Sequence, residues 1–320
     1  MAKPEMKPLF EERMKKLLRD ENDFSKYNEI VHTKPLNYIR CNTLKISCSE
    51  LFERLRKRWN VLQPFSRYPE IMLVEQELSP GELGNAIEHL LGYYYIQEVC
   101  SMMSVIALDP KPGERVLDVC ASPGSKTTQI AMDMNNTGTL IANDVKLDRL
   151  RILAANLERC GVMNSVITRN DGVGLCDRLA REGFKFDKIL LDAPCSGEGT
   201  LRSSAKTFLM WNVKVVDKLS REQKKLIANA LKCLKVGGIL VYSTCTHSPE
   251  ENEEVVDFAL KNFPVQIEKV DLPLKCRPGV TLWDGEQYNK EVENCSRIYP
   301  QDNDSEGFFV AKLKLIGEIK

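Results

Sequence analysis

The chain has 320 residues, 43% hydrophobic and 28% charged, with 45 basic side chains offset by 45 acidic ones. This places it in the soluble globular class, with room for two domains or for one large domain and an appendage. No apolar run approaches the roughly 18 residues that span a bilayer, and "MAKPEMKPLFEERMKKLL" lacks the apolar core and cleavage site of a secretory signal, so a cytoplasmic protein is expected. In chain order, residues 1–92 read as a small α+β region, with "NYIRCNTLK" as a short strand and "SCSELFERLRKRW" as a helix. "GNAIEHLLGYYYIQEVCSMMSVIAL" bridges into a second region, 93–320, with the boundary expected near Gly92. From Arg115 strands and helices alternate: "RVLDVC", a helix "SKTTQIAMDM" after a Pro-Gly turn, "GTLIAND", and "DRLRILAANLERCG" with a glycine stop. "NSVITRND", a helical "GLCDRLAREG" and the strand "FDKILLDAP" follow. "SREQKKLIANALKCLKVGG" reads as an amphipathic helix ending in two glycines, and "ILVYSTC" as the next strand. "SPEENEEVVDFALKNF" reads as a helix opening just after Cys245, and "EGFFVAKLKL" as a further strand. Such alternation implies an α/β fold with a doubly wound, mostly parallel sheet, whose ligands bind beyond the carboxyl ends of the strands.

Eleven cysteines, an odd number with no C-x-x-C pair, argue against a disulfide scaffold and against a zinc site. Most are expected to be buried, reduced thiols. Charge is uneven along the chain. Residues 1–67 hold fifteen Lys/Arg against nine Asp/Glu, and residues 201–235 hold nine against two. Either segment alone could be a solvated helix face. Two such segments flanking a candidate active site favour a polyanionic substrate, with Arg40 expected on that surface.

The first strand–helix turn, "LDVCASPGSKTT", is not a phosphate loop. That motif needs glycine where Ser125 and Cys120 stand, and no G-x-G-x-x-G fingerprint is present. What remains is Asp118 on the strand, a Pro123–Gly124 turn and a helix start with free backbone N–H groups. Asp144 ends the second strand, where nucleoside-binding sheets accept ribose hydroxyls. Asp171 follows the third strand and Asp192 ends the fourth. Single acids at strand ends are common. Four in succession point to a nucleoside-bearing cofactor along the sheet edge, with S-adenosylmethionine the best candidate. Two further stretches, "LLDAPCSGEGT" and "VYSTCTHSPEENEE", each set a cysteine just past a buried strand.

"VLDVCASPGSKTTQ", "ILLDAPCSGEGT", "VYSTCTHSPEENE" and "RIYPQDNDSEGFFVAKL", in this order and spacing, resemble the motifs of the NSUN (Sun/Nop) family of RNA cytosine-5 methyltransferases. "YIRCNTLK" and "YYIQEVCSMMSV" resemble its N-terminal signatures, so the likeness covers nearly the whole chain. The family's usual "APGGKT" is "SPGSKT" here, with Ser122 and Ser125, and its frequent histidine after the late proline is Gln301. The resemblance implies a Rossmann-like S-adenosylmethionine-dependent methyltransferase fold with a small α+β N-terminal domain. It implies Cys245 as the thiol that attacks carbon 6 of cytosine, and Cys195 as the group that helps remove the carbon 5 proton and release product. The residues alone leave that assignment open, because DNA cytosine-5 methyltransferases place their nucleophile in a Pro-Cys motif. Asp192 is expected to bond ring nitrogen 3, with Lys126 near the base. Asp118 and the backbone Cys120, Ala121, Ser122, Pro123, Gly124, Ser125 and Lys126 are expected to hold the methionine end of the cofactor. Asp144 with Arg149 should take the ribose, and Asp171 should lie by the adenine, with Asp192 at the same edge.

Thiol activation is expected from a helix start after Cys245 or from Lys126. Glu250 and Glu251 are read as helix N-terminus electrostatics, and Trp211 and Tyr242 as core. The preferred substrate is a tRNA cytosine that is already unpaired. Ribosomal RNA is the nearest rival. A non-catalytic RNA-binding assembly factor and a redox protein using a Cys195–Cys245 disulfide are readings from other classes.

Overall fold

The computed structural model describes residues 5–319. Two sheets form. The smaller takes β1 (Asn37–Cys41), β2 (Val61–Leu62), β3 (Ile71–Val74) and β4 (Tyr94–Ile96) in the antiparallel order β2-β3-β1-β4. The larger begins with β5 (Arg115–Asp118), β6 (Thr139–Asn143), β7 (Ser165–Thr168), β8 (Phe186–Asp192) and β9 (Leu234–Thr244), all parallel. It is completed by β10 (Val265–Glu268) and β11 (Arg277–Pro278). After the small β12–β13 hairpin (Leu282–Trp283, Glu286–Gln287) come β14 (Ser296–Ile298) and β15 (Phe308–Leu315). Its order is β11-β14-β15-β9-β8-β5-β6-β7, with β10 also on β15, and every pairing beyond β9 is antiparallel. The strands read from the sequence are therefore present, and the chain reverses its winding between β5 and β8. That reversal opens a crevice at the carboxyl ends of the strands. Val116, Leu117, Ile189, Leu190 and Leu191 are fully buried, as strands covered on both faces require.

Local chemistry fixes the element ends. Asp171 caps the helix Gly172–Arg181 by accepting from Gly174 N–H, and Asn212 caps Val213–Lys232 by accepting from Val215 N–H. The long helix thus starts before "SREQ" and ends at Lys232, not at the glycine pair. Gly237 and Gly238 belong to β9, at an irregularity opposite Phe186–Lys188. A Cβ at Gly238 would lie 2.8 Å from the Asp187 carbonyl oxygen, so the glycine serves close strand approach rather than a helix stop. The helix after Cys245 also starts later than expected, at Glu253, because Ser248–Asn252 are taken up in turns. A helix start next to Cys245 is therefore ruled out as the source of thiol activation.

Residues before Gly92 divide between two partners. The helices Pro8–Leu18 and Glu21–Ile30 pack on the large sheet's domain, with Phe10 edge-on to Trp211 at 5.1 Å and Arg13 paired to Glu250 at 2.7 Å. β4, beyond Gly92, completes the small sheet. Arg40 is not on the surface. It is 1% exposed, donating to Ser125 O at 2.8 Å, Thr128 Oγ1 at 2.7 Å and Gln97 Oε1. It thereby fastens the small sheet to the helix Ser125–Asp133. Arg40→Ala should lower stability by about 2–4 kcal/mol, measured by urea unfolding.

Of the basic tract 1–67, residues 1–4 lie outside the described residues. In the second tract Arg202 is buried and paired with Asp304 at 2.6 Å, whereas Lys206, Lys214, Lys218, Arg221 and Lys225 are exposed. Among the described residues no helix is long and apolar enough to cross a membrane, and no cluster of His, Cys, Asp or Glu is arranged to hold a metal.

Candidate active site

β8 and β9 are neighbours in parallel register, with Asp192 opposite Ser243. The two cysteine segments leave the sheet side by side, and the sulfurs of Cys195 and Cys245 come within 3.1 Å. Both thiols are free and half-buried, and Cys245 N–H donates to Cys195 Sγ at 3.3 Å. Asp192 is held from two sides. Ser243 donates its hydroxyl to Oδ1 at 2.7 Å, and Lys126 donates to Oδ2 at 2.8 Å. Lys126 also donates to Ser101 Oγ at 2.8 Å and lies 5.3 Å above the Phe308 ring. The four residues expected to carry the chemistry thus form one cluster.

Charge is unevenly shared in that cluster. Burial works to lower the Lys126 ammonium, yet Asp192, then Cys245 and Asp118, hold it above its ordinary range. Lys126 is therefore a fixed cation beside Cys245. The hydrogen bond to Cys245, followed by burial, pushes the Cys195 thiol well up. Cys195 therefore keeps its proton.

Glu250 and Glu251 do not serve a helix terminus. Glu250 binds Arg13 and accepts from Trp283 Nε1 at 2.9 Å, fixing the N-terminal helices. Glu251 is fully buried beneath the Cys195 segment, where Oε2 accepts from Ser196 N–H at 3.0 Å and Gln223 Nε2 at 2.9 Å. Trp211 and Tyr242 are core residues, as expected. Trp211 donates to Glu198 at 2.7 Å and Tyr242 to the Glu251 carbonyl at 2.5 Å.

Beyond β5, β6 and β7 lies a cavity of about 490 Å³ lined by Cys120, Asp144, Arg149 and Asp171. Val173, Leu226 and Pro194 supply apolar walls, and Asn170, Lys225 and Glu222 polar ones. Asp144 is buried and pairs with Arg149 at 3.3 Å, while Arg149 also donates to the Ser122 carbonyl. Asp171 reaches the cavity but spends Oδ2 on its cap, 2.9 Å from Gly174 N. The turn Ala121–Ser125 is tightly fastened. Ala121 N–H donates to Asn143 O at 2.7 Å, Pro123 O accepts from Asn156 at 2.9 Å, and Gly124 has φ +106°. A Cβ at Gly124 would touch Leu153 at 3.0 Å. Ser122 Oγ is buried without a hydrogen-bond partner among the described residues, and Ser125 opens the helix Ser125–Asp133.

Asp118 sits under the same edge, 1% exposed, accepting from Thr127 Oγ1 at 2.7 Å. Burial pushes its carboxyl up to about 7. Its Oδ1 lacks a hydrogen-bond partner among the described residues, and Asp144 Oδ2 faces only the Arg149 guanidinium at 3.3 Å. A buried carboxylate oxygen without a donor, and a second carboxylate on a cavity lined by both apolar and polar residues, fit a ligand with an amino group at one end and vicinal hydroxyls farther along. S-adenosylmethionine has both. Asn143 was not foreseen. Its buried amide bonds Val119 O and Asn170 O, each at 3.1 Å, and accepts from Thr168 and Asn170, tying three strand ends together.

Residues 105–314 match the family model described as 16S rRNA methyltransferase RsmB/F, and residues 6–99 match the N-terminal domain of 16S rRNA methyltransferase RsmF. The tRNA (cytosine(49)-C(5))-methyltransferase of Pyrococcus abyssi is 46% identical over 283 residues, 88% of this chain and 89% of that protein. The ribosomal RNA small subunit methyltransferase F of Psychromonas ingrahamii is 42% identical over 280 residues, 86% of this chain but 56% of that protein. Among solved structures, a methyltransferase homolog protein from Pyrococcus horikoshii superposes with a TM-score of 0.79 at 34% identity, covering 97% of this chain and 100% of the other. NSun6 from Pyrococcus horikoshii with SFG, an S-adenosylmethionine analogue, gives 0.83 at 26% identity, covering 98% and 99%.

Proposed function

Because this chain belongs to the RsmB/F (Sun/Nop) family of S-adenosylmethionine-dependent RNA cytosine-5 methyltransferases, we propose that it methylates a tRNA cytosine through a covalent cysteine adduct. The observation that carries the adduct is the 3.1 Å approach of Cys195 and Cys245 beside the Lys126–Asp192 pair. The tRNA substrate is supported by 46% identity to a tRNA enzyme over 89% of its length, against 42% identity to the ribosomal relative.

Carbon 5 of cytosine is a poor nucleophile and must be activated. The Cys245 thiolate bonds to carbon 6, and the C5–C6 π pair moves toward carbon 5 and the ring. Asp192, bonded to ring nitrogen 3 through a shared proton, offsets the charge that develops there. Bound S-adenosylmethionine supplies the methyl group to carbon 5, its sulfur retaining the bonding pair. Asp118 takes its amino group, Asp144 with Arg149 its ribose, and the walls near Asp171 its adenine. With Cys245 now a neutral thioether, the hydrogen bond and charge that held the Cys195 proton are gone. Cys195 releases that proton to solvent and takes the one on carbon 5. The C5–H pair re-forms the double bond, the C6–S bond breaks, and Cys245 leaves as thiolate.

Labelled S-adenosylmethionine with unmodified tRNA transcripts and a small-subunit rRNA fragment tests the reading. The tRNA is expected to take up label at the higher rate. A higher rate on the rRNA fragment would transfer the assignment to ribosomal RNA, the substrate in the matched family description. RNA binding with no transfer to either would favour the assembly-factor reading.

A further inference from the structure

The two thiols are held by different means. Cys245 directly follows a strand paired on both sides, with Thr244 opposite Phe309, and its carbonyl accepts from Gly199 N–H at 2.9 Å. Cys195 lies in Ala193–Gly197, which has no regular secondary structure. Its two flanking residues are tied to side chains instead. Gln223 Nε2 donates to Pro194 O at 2.8 Å and to Glu251 Oε2 at 2.9 Å, and Ser196 N–H donates to that same carboxylate oxygen at 3.0 Å. Ser196 Oγ meets Thr246 Oγ1 at 2.8 Å, closing the ring on the residue after Cys245. Gln223 and Glu251 are both 0% exposed. Glu251 Oε1 has no hydrogen-bond partner among the described residues, an arrangement that costs stability and that the bonds to Oε2 must offset.

We infer that Gln223 and Glu251 are positioning residues that hold Cys195 for product release and are not required for bond formation at Cys245. Neither touches the reacting atoms; they act through the backbone on either side of the thiol. The inference rests on the two-thiol reading above. Its step is the last one: Cys195 accepts the carbon 5 proton, the C5–H pair becomes the C5–C6 π bond, and the C6–S pair returns to Cys245.

The test is a denaturing gel of enzyme, tRNA transcript and labelled cofactor for wild type, Cys195→Ala, Glu251→Ala, Gln223→Ala and Glu251→Gln, with thermal midpoints measured alongside. Glu251→Ala and Gln223→Ala should gain a protein–RNA band, keep first-turnover methylation and lose about tenfold to a hundredfold in multiple turnover. Glu251→Gln, whose amide oxygen can accept both bonds, should restore release. A protein that is merely loosened would lose adduct rather than gain it. If Glu251→Ala does not fold, Gln223→Ala carries the test. Free turnover without a band in the folded Ala variants, or loss of first-turnover methylation at an unchanged midpoint, overturns the inference. A band in Cys195→Ala but in neither positioning variant overturns it while leaving the two-thiol reading intact. No methylation by wild type overturns the two-thiol reading itself.

Discussion

Cys245→Ala is expected to abolish methyl transfer, and Cys195→Ala to trap the RNA on the protein. Loss of a covalent nucleophile costs about 10⁴–10⁶-fold where such residues have been removed. Cys195→Ala should retain one methyl transfer per enzyme and then stall, its multiple turnover reduced by about 10²–10⁴-fold, the range for a lost proton-transfer group. The double variant should give no band, since in the proposed mechanism Cys245 forms the bond that Cys195 helps to break. Single-turnover labelling and a denaturing gel read both effects. Methylation by Cys245→Ala would reverse the roles and make Cys195 the nucleophile. A Cys195–Cys245 disulfide in the working enzyme would appear as free thiols lost on mild oxidation and regained on reduction, with no methylation. That outcome would favour the redox reading over both roles.

Asp118→Asn should strengthen the fold and weaken the cofactor. Folding raises this carboxyl from 3.8 to about 7, chiefly by burial. Between roughly pH 4 and 7 the folded chain keeps a proton that the unfolded chain has released. Its contribution to stability is therefore full below pH 4, falls as pH rises to 7, and stays low above that. At pH 8 the ionised carboxylate costs the ligand-free protein on the order of 4 kcal/mol. An asparagine, still able to accept from Thr127, removes that cost, so the ligand-free variant should melt higher than wild type at pH 8 and much less so at pH 5. Cofactor binding should move oppositely. Only the ionised carboxylate pairs with the cofactor's amino group, so wild-type affinity should climb by up to about tenfold per pH unit below 7 and level off above it. Asp118→Asn should flatten that profile and weaken binding at pH 8 by about 10–100-fold. Calorimetric titration across pH 5.5–8.5 checks both statements. A wild-type affinity independent of pH would remove Asp118 from the cofactor's amino group.

β5, β6, β8 and β9 were readable because each carries buried apolar residues and ends in a polar turn. Asp118, Asp192, Cys195 and Cys245 stand where such runs stop, and parallel pairing then gathers the stops at one edge. Residues whose roles depend on distant partners were not readable. Arg40 looks like a phosphate contact in a basic stretch, and only the helix Ser125–Asp133 lying across β1 makes it internal. Glu251 sits in what reads as a helix start, yet its partners are Ser196 and Gln223, far earlier in the chain. Gln223 is one polar residue among many on an amphipathic helix, with nothing local to mark it. The N-terminal helices gave no sign of their attachment to Trp211 and Glu250, because amphipathic spacing shows that a face is buried but not against what.

β15 lies inside the large sheet, hydrogen-bonded to β9 along Ile239–Thr244, and not at its rim. Translation runs from the N-terminus, so β9 leaves the ribosome well before this neighbour does. During that interval β5 to β8 and their helices can already assemble the cofactor cavity, but the flank on which Cys245 rests is open. Gly307, which donates to Gly199 O at 2.8 Å and leaves no room for a Cβ beside His247, arrives just ahead of β15. β15, the last strand in chain order, is thus the one that closes the flank of β9 next to Cys245.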